Sequence, residues 1–227
     1  MISNKVIVFK SVSIVSVIAL MLFSCAKKAS VVSESDPWKQ KELIVKGISK
    51  TNFSNKIYNI NDFGAVADGK TLNTIAFEKA IKSCAENGGG QVLVPNGKYL
   101  TGAIHLESNV NLHLADNAEI LFSINPKDYP IVHTSFEGTE LMNYSPLIYA
   151  KNKTNVAITG KGILNGQADR TNWWIWSGGK DYGWKKGVPS QNDPKNREVL
   201  VEMAEKNIPV SERVFGDGRY LRPNFIE

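Results

Sequence analysis

Acid–base chemistry near neutral pH takes two titratable side chains held within a few ångströms of one another. The aspartates of this chain are Asp36, Asp62, Asp68, Asp116, Asp128, Asp169, Asp181, Asp193 and Asp217, and no two are adjacent. Asp62 and Asp68 precede Phe63-Gly64 and Gly69, so both read as turn formers. His105 sits between Ile104 and Leu106, and His113 between Leu112 and Leu114. Alternation turns both rings outward from an apolar face. No His, Cys, Asp and Glu cluster has ligand spacing, and neither a metal nor a cofactor is expected. Gly160-x-Gly162-x-x-x-Gly166 superficially resembles a dinucleotide loop, which needs a strand before it and a helix after it. Ile163-Leu164 falls inside it and reads as a strand, so a chain corner is the better reading. Trp173, Trp174 and Trp176 remain. Their faces could stack on sugar rings, or pack their segment onto the core.

The elements that would position these residues follow from periodicity. Ala76, Phe77, Ala80, Ile81 and Cys84 recur on one helical stripe, which predicts a helix over about 74–86. Asn73 is placed to cap its N-terminus through the side-chain oxygen, and Asn87-Gly88-Gly89-Gly90 to end it. Ile57 to Ile60 reads as a strand before the helix. After it, Val92/Val94, Ile104/Leu106, Val110/Leu112/Leu114, Ile120/Phe122 and Val156/Ile158 alternate with period two, and Ile163 or Leu164 closes the series. An antiparallel sandwich would alternate in the same way, but tight hairpin signals between these strands are scarce. Ser108-Asn109-Val110-Asn111-Leu112 also resembles Thr154-Asn155-Val156-Ala157-Ile158, at an offset of 155 − 109 = 46. That offset reads as two turns of ~23 residues in a coiled repeat, with asparagines at equivalent corners. The expected fold is all-β: a right-handed parallel β-helix whose open end is capped by one helix. Residues 171–222, with a helical stretch near 196–206, read as an excursion of the kind that forms binding walls.

Formal charge is +5, and +3 without Lys5 and Lys10 of the leader; the basic residues are scattered, which argues against nucleic-acid binding. Residues 1–24 have a basic start and an apolar run, Val12 to Phe23, too short for a span. The run ends in Leu22-Phe23-Ser24-Cys25, which resembles a bacterial lipoprotein box with Cys25 as the lipid attachment site. An ordinary secretory leader is the alternative. The expected organisation is a signal peptide (1–24), a tether (25–55) and a β-helix domain (56–227), held at the bacterial cell envelope by a lipid anchor in the membrane. Cys84 falls on the apolar stripe, so no disulfide is expected.

Specific blocks carry a family likeness. They are Asp62-Phe63-Gly64-Ala65, Asp68-Gly69, Asn73-Thr74, Val94-Pro95, Gly97-Lys98-Tyr99, Asn155 through Gly162, Asn165-Gly166, Trp173-Trp174, Pro209 through Gly216, and Arg222-Pro223. Together they resemble the pectin-lyase-fold glycoside hydrolases of family 28, the polygalacturonases and rhamnogalacturonases. The resemblance implies hydrolysis of α-linked galacturonan with inversion, by aspartates and without metal. Inversion needs an acid and a base roughly 6.5–9.5 Å apart. In that family these come from an Asn-Thr-Asp motif and an Asp-Asp pair, assisted by Gly-His-Gly and Arg-Ile-Lys. None of these occurs in this sequence. The chain therefore reads as the N-terminal portion of a pectic-polysaccharide hydrolase, C-terminally truncated and inactive alone, with no catalytic residue of its own. A non-catalytic β-helix module, or a lyase on the same scaffold, stays open.

Overall fold

The structure is a computed structural model that describes residues 37–216 and 218–227. The leader, Cys25, Asp36 and Asp217 lie outside the described residues. Two compact units divide at Lys50/Thr51. The first contributes one described helix, α1 (Pro37–Gly47), in the stretch the sequence gives as tether. The second, from Thr51, is the coiled domain.

That domain opens with β1 (Ile57–Asn59), a 3-10 turn ending at left-handed Gly64, and β2 (Asp68–Leu72). The helix α2 (Thr74–Glu86) follows at the bounds the apolar stripe predicts, with Ala76, Phe77, Ala80, Ile81 and Cys84 all buried. Then come β3 (Gly90–Val94), β4 (Gly97–Thr101), β5 (Ile104–His105), β6 (Val110–Leu114) and β7 (Ala118–Phe122). After β8 (Ile131–Phe136) and β9 (Thr139–Tyr144) the coil resumes with β10 (Ile148–Tyr149), β11 (Ala157–Gly160) and β12 (Ile163–Asn165). The last helix is α3 (Arg197–Glu205).

Pairing is parallel throughout the coil. The first sheet runs β1-β3-β6-β11, the second β2-β4-β7-β12, and the third joins β5 to β10. Residues 224–227 extend the third sheet: Leu147 N–H donates to Asn224 O at 3.1 Å and Glu227 N–H to Ile148 O at 3.0 Å. Successive turns stack like on like. Val92, Leu112 and Ile158 share one register on the first sheet, as do Tyr99, Ile120 and Leu164 on the second. Val92, Leu112, Tyr99 and Ile120 are completely buried, so the alternating residues fill the inside of the coil. The helix α2 packs over β1, β3 and β5 and closes that end, where core side chains would otherwise meet water.

Two local expectations change. The turn that carries α2 advances 92 − 58 = 34 residues, the next 112 − 92 = 20 and the one after 158 − 112 = 46. The repeat at offset 46 is therefore one turn, not two; its extra length is the β8–β9 hairpin and its flanks. Asn109 and Asn155 do stack at one corner, both left-handed (φ 64° and 53°), with Asn155 Nδ2 donating to Asn109 Oδ1 at 3.0 Å. Asn73 makes no side-chain capping bond. Its carboxamide, 2% exposed, instead accepts from Val66 N–H at 2.7 Å and donates to Thr71 O at 2.7 Å and to Val66 O and Leu100 O at 3.1 Å. It braces β2 against β4. The helix ends as read: Gly89 N–H bonds Cys84 O at 2.8 Å, and a Cβ on Gly89 (φ 81°) would lie 2.4 Å from Asn109 O.

Candidate functional site

The corner between the second and third sheets decides where a site forms. In the first full turn it is residues 102–103; in the next, 123–147; after β12, 166–223. Both long insertions leave the coil beside the second sheet, and they join. In the first, β8 and β9 form an antiparallel hairpin around Glu137-Gly138, whose φ values of 48° and 85° give the twist a two-residue turn requires. The second lays Val214 along Met142, with Met142 N–H to Arg213 O at 2.9 Å and Phe215 N–H to Met142 O at 2.7 Å. Phe136, Leu141, Leu200, Phe215 and Leu221 make a small separate core, supported by Val199 and Met203 of the α3 region. Arg197 Nε ties to Glu137 Oε2 at 2.7 Å. The result is a wall of its own standing.

Where the wall meets the second sheet lies a cavity of ≈ 700 Å³. Its lining includes Ile163 to Ala168, Trp173, Trp174, Glu137 and Arg222 to Phe225. The outer face of the second sheet runs towards it as a polar row. Lys98 Nζ pairs with Glu119 Oε2 at 2.9 Å, and Asn165 Nδ2 donates to Glu119 Oε1 at 2.9 Å. These bonds, Asn165's first, hold the Glu119 carboxyl below the ordinary range. Asn165 Oδ1 accepts from Gln167 N–H at 2.9 Å, fixing the turn into the cavity.

The three tryptophans part company. Trp173 is 7% exposed and packs edge-on against Tyr129 and Trp176, at 5.7 and 5.0 Å between ring centres. Trp176 is half-buried against the core and meets Tyr220 edge-on at 5.2 Å. Trp174 is 42% exposed on the cavity wall. Asp169 folds the preceding loop: one oxygen accepts from Thr171 N–H and Oγ1 and from Asn172 N–H and Nδ2, which lowers its pKa. Arg222, which the sequence singles out only through its Arg-Pro pair, is the cavity's cation. Its Nε donates to Gln191 Oε1 at 3.2 Å, and it enters no ion pair among the described residues.

No pair of free carboxylates faces this space among the described residues. Glu137 is the carboxylate in the lining, and it is tied to Arg197. The arrangement offers an aromatic face, amides and a guanidinium, which suits binding an oxygen-rich anionic ligand rather than proton transfer.

Residues 57–207 match the family described as rhamnogalacturonase A/epimerase, pectate lyase-like. The chain belongs to that family. A solved exopolygalacturonase from Thermotoga maritima is 47% identical and superposes with a TM-score of 0.79, over 83% of this chain and 42% of that one. Its fold, a right-handed parallel β-helix, is the fold here. An exo-poly-alpha-D-galacturonosidase of Dickeya chrysanthemi is 32% identical over 62% of this chain and 22% of that protein. A probable polygalacturonase of Vitis vinifera is 37% identical over 52% of this chain and 26% of that protein. The chain thus spans about a quarter of the length of these curated relatives.

Within this member of the family the histidines stand apart from the cavity. His113 Nδ1 shares a hydrogen bond with Thr159 Oγ1 at 2.8 Å, and His133 Nε2 with Glu140 Oε1 at 2.9 Å. His105 bonds Ser145 Oγ at 2.9 Å and leans on Tyr149. The residue is exposed by area, but the neighbours crowding its ring desolvate the charged form and lower its pKa. The glycine motif is a strand corner, as read: a Cβ on Gly160 would lie 1.9 Å from Leu114 O.

Proposed function

We propose that this chain forms the cap, the first coils and one groove wall of a glycosidase that hydrolyses O-glycosidic bonds in pectic polysaccharide. The acid and base of an inverting mechanism are then aspartates of coils beyond those of this chain. The observation that carries the reading is the wall raised twice from one corner beside the second sheet, with Trp174 and Arg222 exposed to the same cavity. Trp174 presents a ring to a pyranose face, and Arg222 a fork to a uronate carboxylate. Polygalacturonase relatives support galacturonan or rhamnogalacturonan as the substrate class. Trp173 and Trp176 support the wall, and sugar contact falls to Trp174.

The test pairs binding with turnover. Titration calorimetry of the full chain with oligogalacturonate should give binding that weakens on Trp174→Ala. A reducing-end assay on polygalacturonate should give no turnover. Measurable turnover would overturn the placing of acid and base outside this chain. Absence of binding would overturn the groove. For the envelope location, labelled palmitate should enter the wild-type chain and not Cys25→Ser when both are expressed in a bacterium; equal labelling would overturn the anchor.

A further inference from the structure

Outside the coil, α1 presents apolar side chains to solvent. Trp38, Leu43, Ile44 and Val45, with Ile48 just past its end, are between 58% and 76% exposed. On a helical projection Trp38, Ile44, Val45 and Ile48 fall within one sector about 120° wide, and only Leu43 lies elsewhere. Lys41 sits inside that sector and Lys46 opposite. Residues 37–50 hold Lys39, Lys41, Lys46 and Lys50 against Glu42, a balance of 4 − 1 = +3. The helix is too short and too polar to cross a bilayer, and no described helix is long and apolar enough to do so.

Two candidate occupants can be compared on these residues. A second copy would bring Lys41 against Lys41 in the middle of the shared stripe, and like charges desolvated together oppose pairing. At a bilayer surface the same lysine extends along its stem to the headgroups, while the apolar neighbours sink below them. The helix is about 10 Å across, so Lys46 on its far side stays near one screening length of anionic lipid. Trp38 has the ring and N–H that favour the headgroup boundary. Cys25, the candidate acyl site, precedes Pro37 by twelve residues. An extended chain of that length reaches at most about 40 Å, which keeps α1 beside the membrane holding the acyl chain.

We propose that α1 is an interfacial helix, lying in the surface of an anionic phospholipid leaflet with Trp38, Ile44, Val45 and Ile48 buried among the headgroups. The acyl chain then fixes the protein to the membrane, and the helix lays the segment before the first coil along it. The proposal is independent of the glycosidase reading and draws on the lipidation reading only for proximity.

The test uses Trp38 as the reporter. The full chain is mixed with phosphatidylethanolamine–phosphatidylglycerol vesicles containing brominated acyl chains, and the Trp38 signal is the difference between wild type and Trp38→Phe. Residues 1–36 contain no tryptophan, so insertion of the leader is silent. Wild-type Trp38 emission should fall by about twofold, and the fall should vanish in Ile44→Asp/Val45→Asp and shrink in Lys41→Gln/Lys46→Gln/Lys50→Gln. The Cys25→Ser chain should be quenched too, which separates the helix from the anchor. Unquenched Trp38 would overturn the proposal, as would quenching that survives the double aspartate variant or is equal on phosphatidylcholine. Trp38 shielded by crosslinkable dimers without lipid would assign the face to a second copy and overturn it as well.

Discussion

Asn73 separates two jobs that one residue type can do. Its position at the start of α2 invites a cap, yet its carboxamide bridges Val66, Thr71 and Leu100. Truncation to alanine leaves Val66 N–H, Val66 O and Thr71 O without that partner. Leu100 O keeps the bond from Asn73 N–H at 2.8 Å. A buried polar group left unpaired costs about 1–3 kcal/mol. Val66 and Thr71 are both exposed, so water recovers part of each loss. The sum is about 2 kcal/mol, or a fall of about 4–8 °C in Tm for a domain of this size. Asn73→Ser retains a capping oxygen but has neither the reach nor the second donor for the bridge. It should fall within about 1 kcal/mol of alanine. Urea unfolding followed by near-ultraviolet circular dichroism measures all three chains. If serine matches wild type while alanine loses only about 1 kcal/mol, the residue is a cap and the bracing argument is wrong.

Three further outcomes follow from other positions. Leu112 is completely buried between Val92 and Ile158, so Leu112→Ala should cost about 3–4 kcal/mol in the same unfolding experiment, and a loss below 1 would mean the coil interior is loose there. Burial pushes the Cys84 thiol up to about 11; in a Cys25→Ser background it should resist a disulfide reagent at pH 8 until the chain is unfolded, and rapid labelling of the native protein would contradict the closed cap. Bonds from Thr71 N–H, Lys70 N–H and the Thr71 hydroxyl lower Asp68 from 3.8 to about 2. Being depressed, it favours the folded state above pH 3.8, and that contribution fades as pH falls through about 2; a carboxyl NMR titration centred near 3.8 would refute the turn.

What the sequence discloses follows how local each cause is. Helix α2 is written in five apolar positions and a glycine run, and it forms where they say. The inward strands are written in alternation, because the coil buries one side of each. The turn count is not, because the hairpin that lengthens one coil packs partly on the small second core and alternates poorly: β8 reads IVHTSF and β9 TELMNY. Glu137-Gly138 was its one local signal. Strand β2, DGKTL, has no apolar rhythm and is held by β4 and by Asn73. Trp173 and Trp174 are neighbours with opposite fates, decided by Tyr129 and Trp176 on one side and open cavity on the other. The role of Arg222 depends on a wall assembled from distant segments, which nothing near residue 222 encodes.

The placing of the wall has a steric cause. Each turn advances by one strand spacing, about 4.8 Å, whatever its length, so surplus residues have to leave sideways at a corner. Beyond the turn that carries α2, two corners resist this. Between the first and second sheets the links there are residues 95–96, 115–117 and 161–162, against 60–67 in the turn that carries α2. There a Cβ on Gly162 would meet Ala118 O at 2.6 Å, and one on Gly97 would meet Ala67 Cβ at 2.6 Å. Between the third and first sheets, Asn109 and Asn155 lock side chain to side chain, and Asn155 also clasps Asn52 through N–H and O at 2.9 and 2.7 Å. Lengthening either corner would break contacts that align neighbouring turns. At the third corner residues 102–103 give way in the next turn to 123–147 without disturbing the pairing of Ile104 with Ile148. Insertion is tolerated there, so beyond the turn that carries α2 growth is confined to one flank of the second sheet. A groove follows from that asymmetry before any residue within it is chosen.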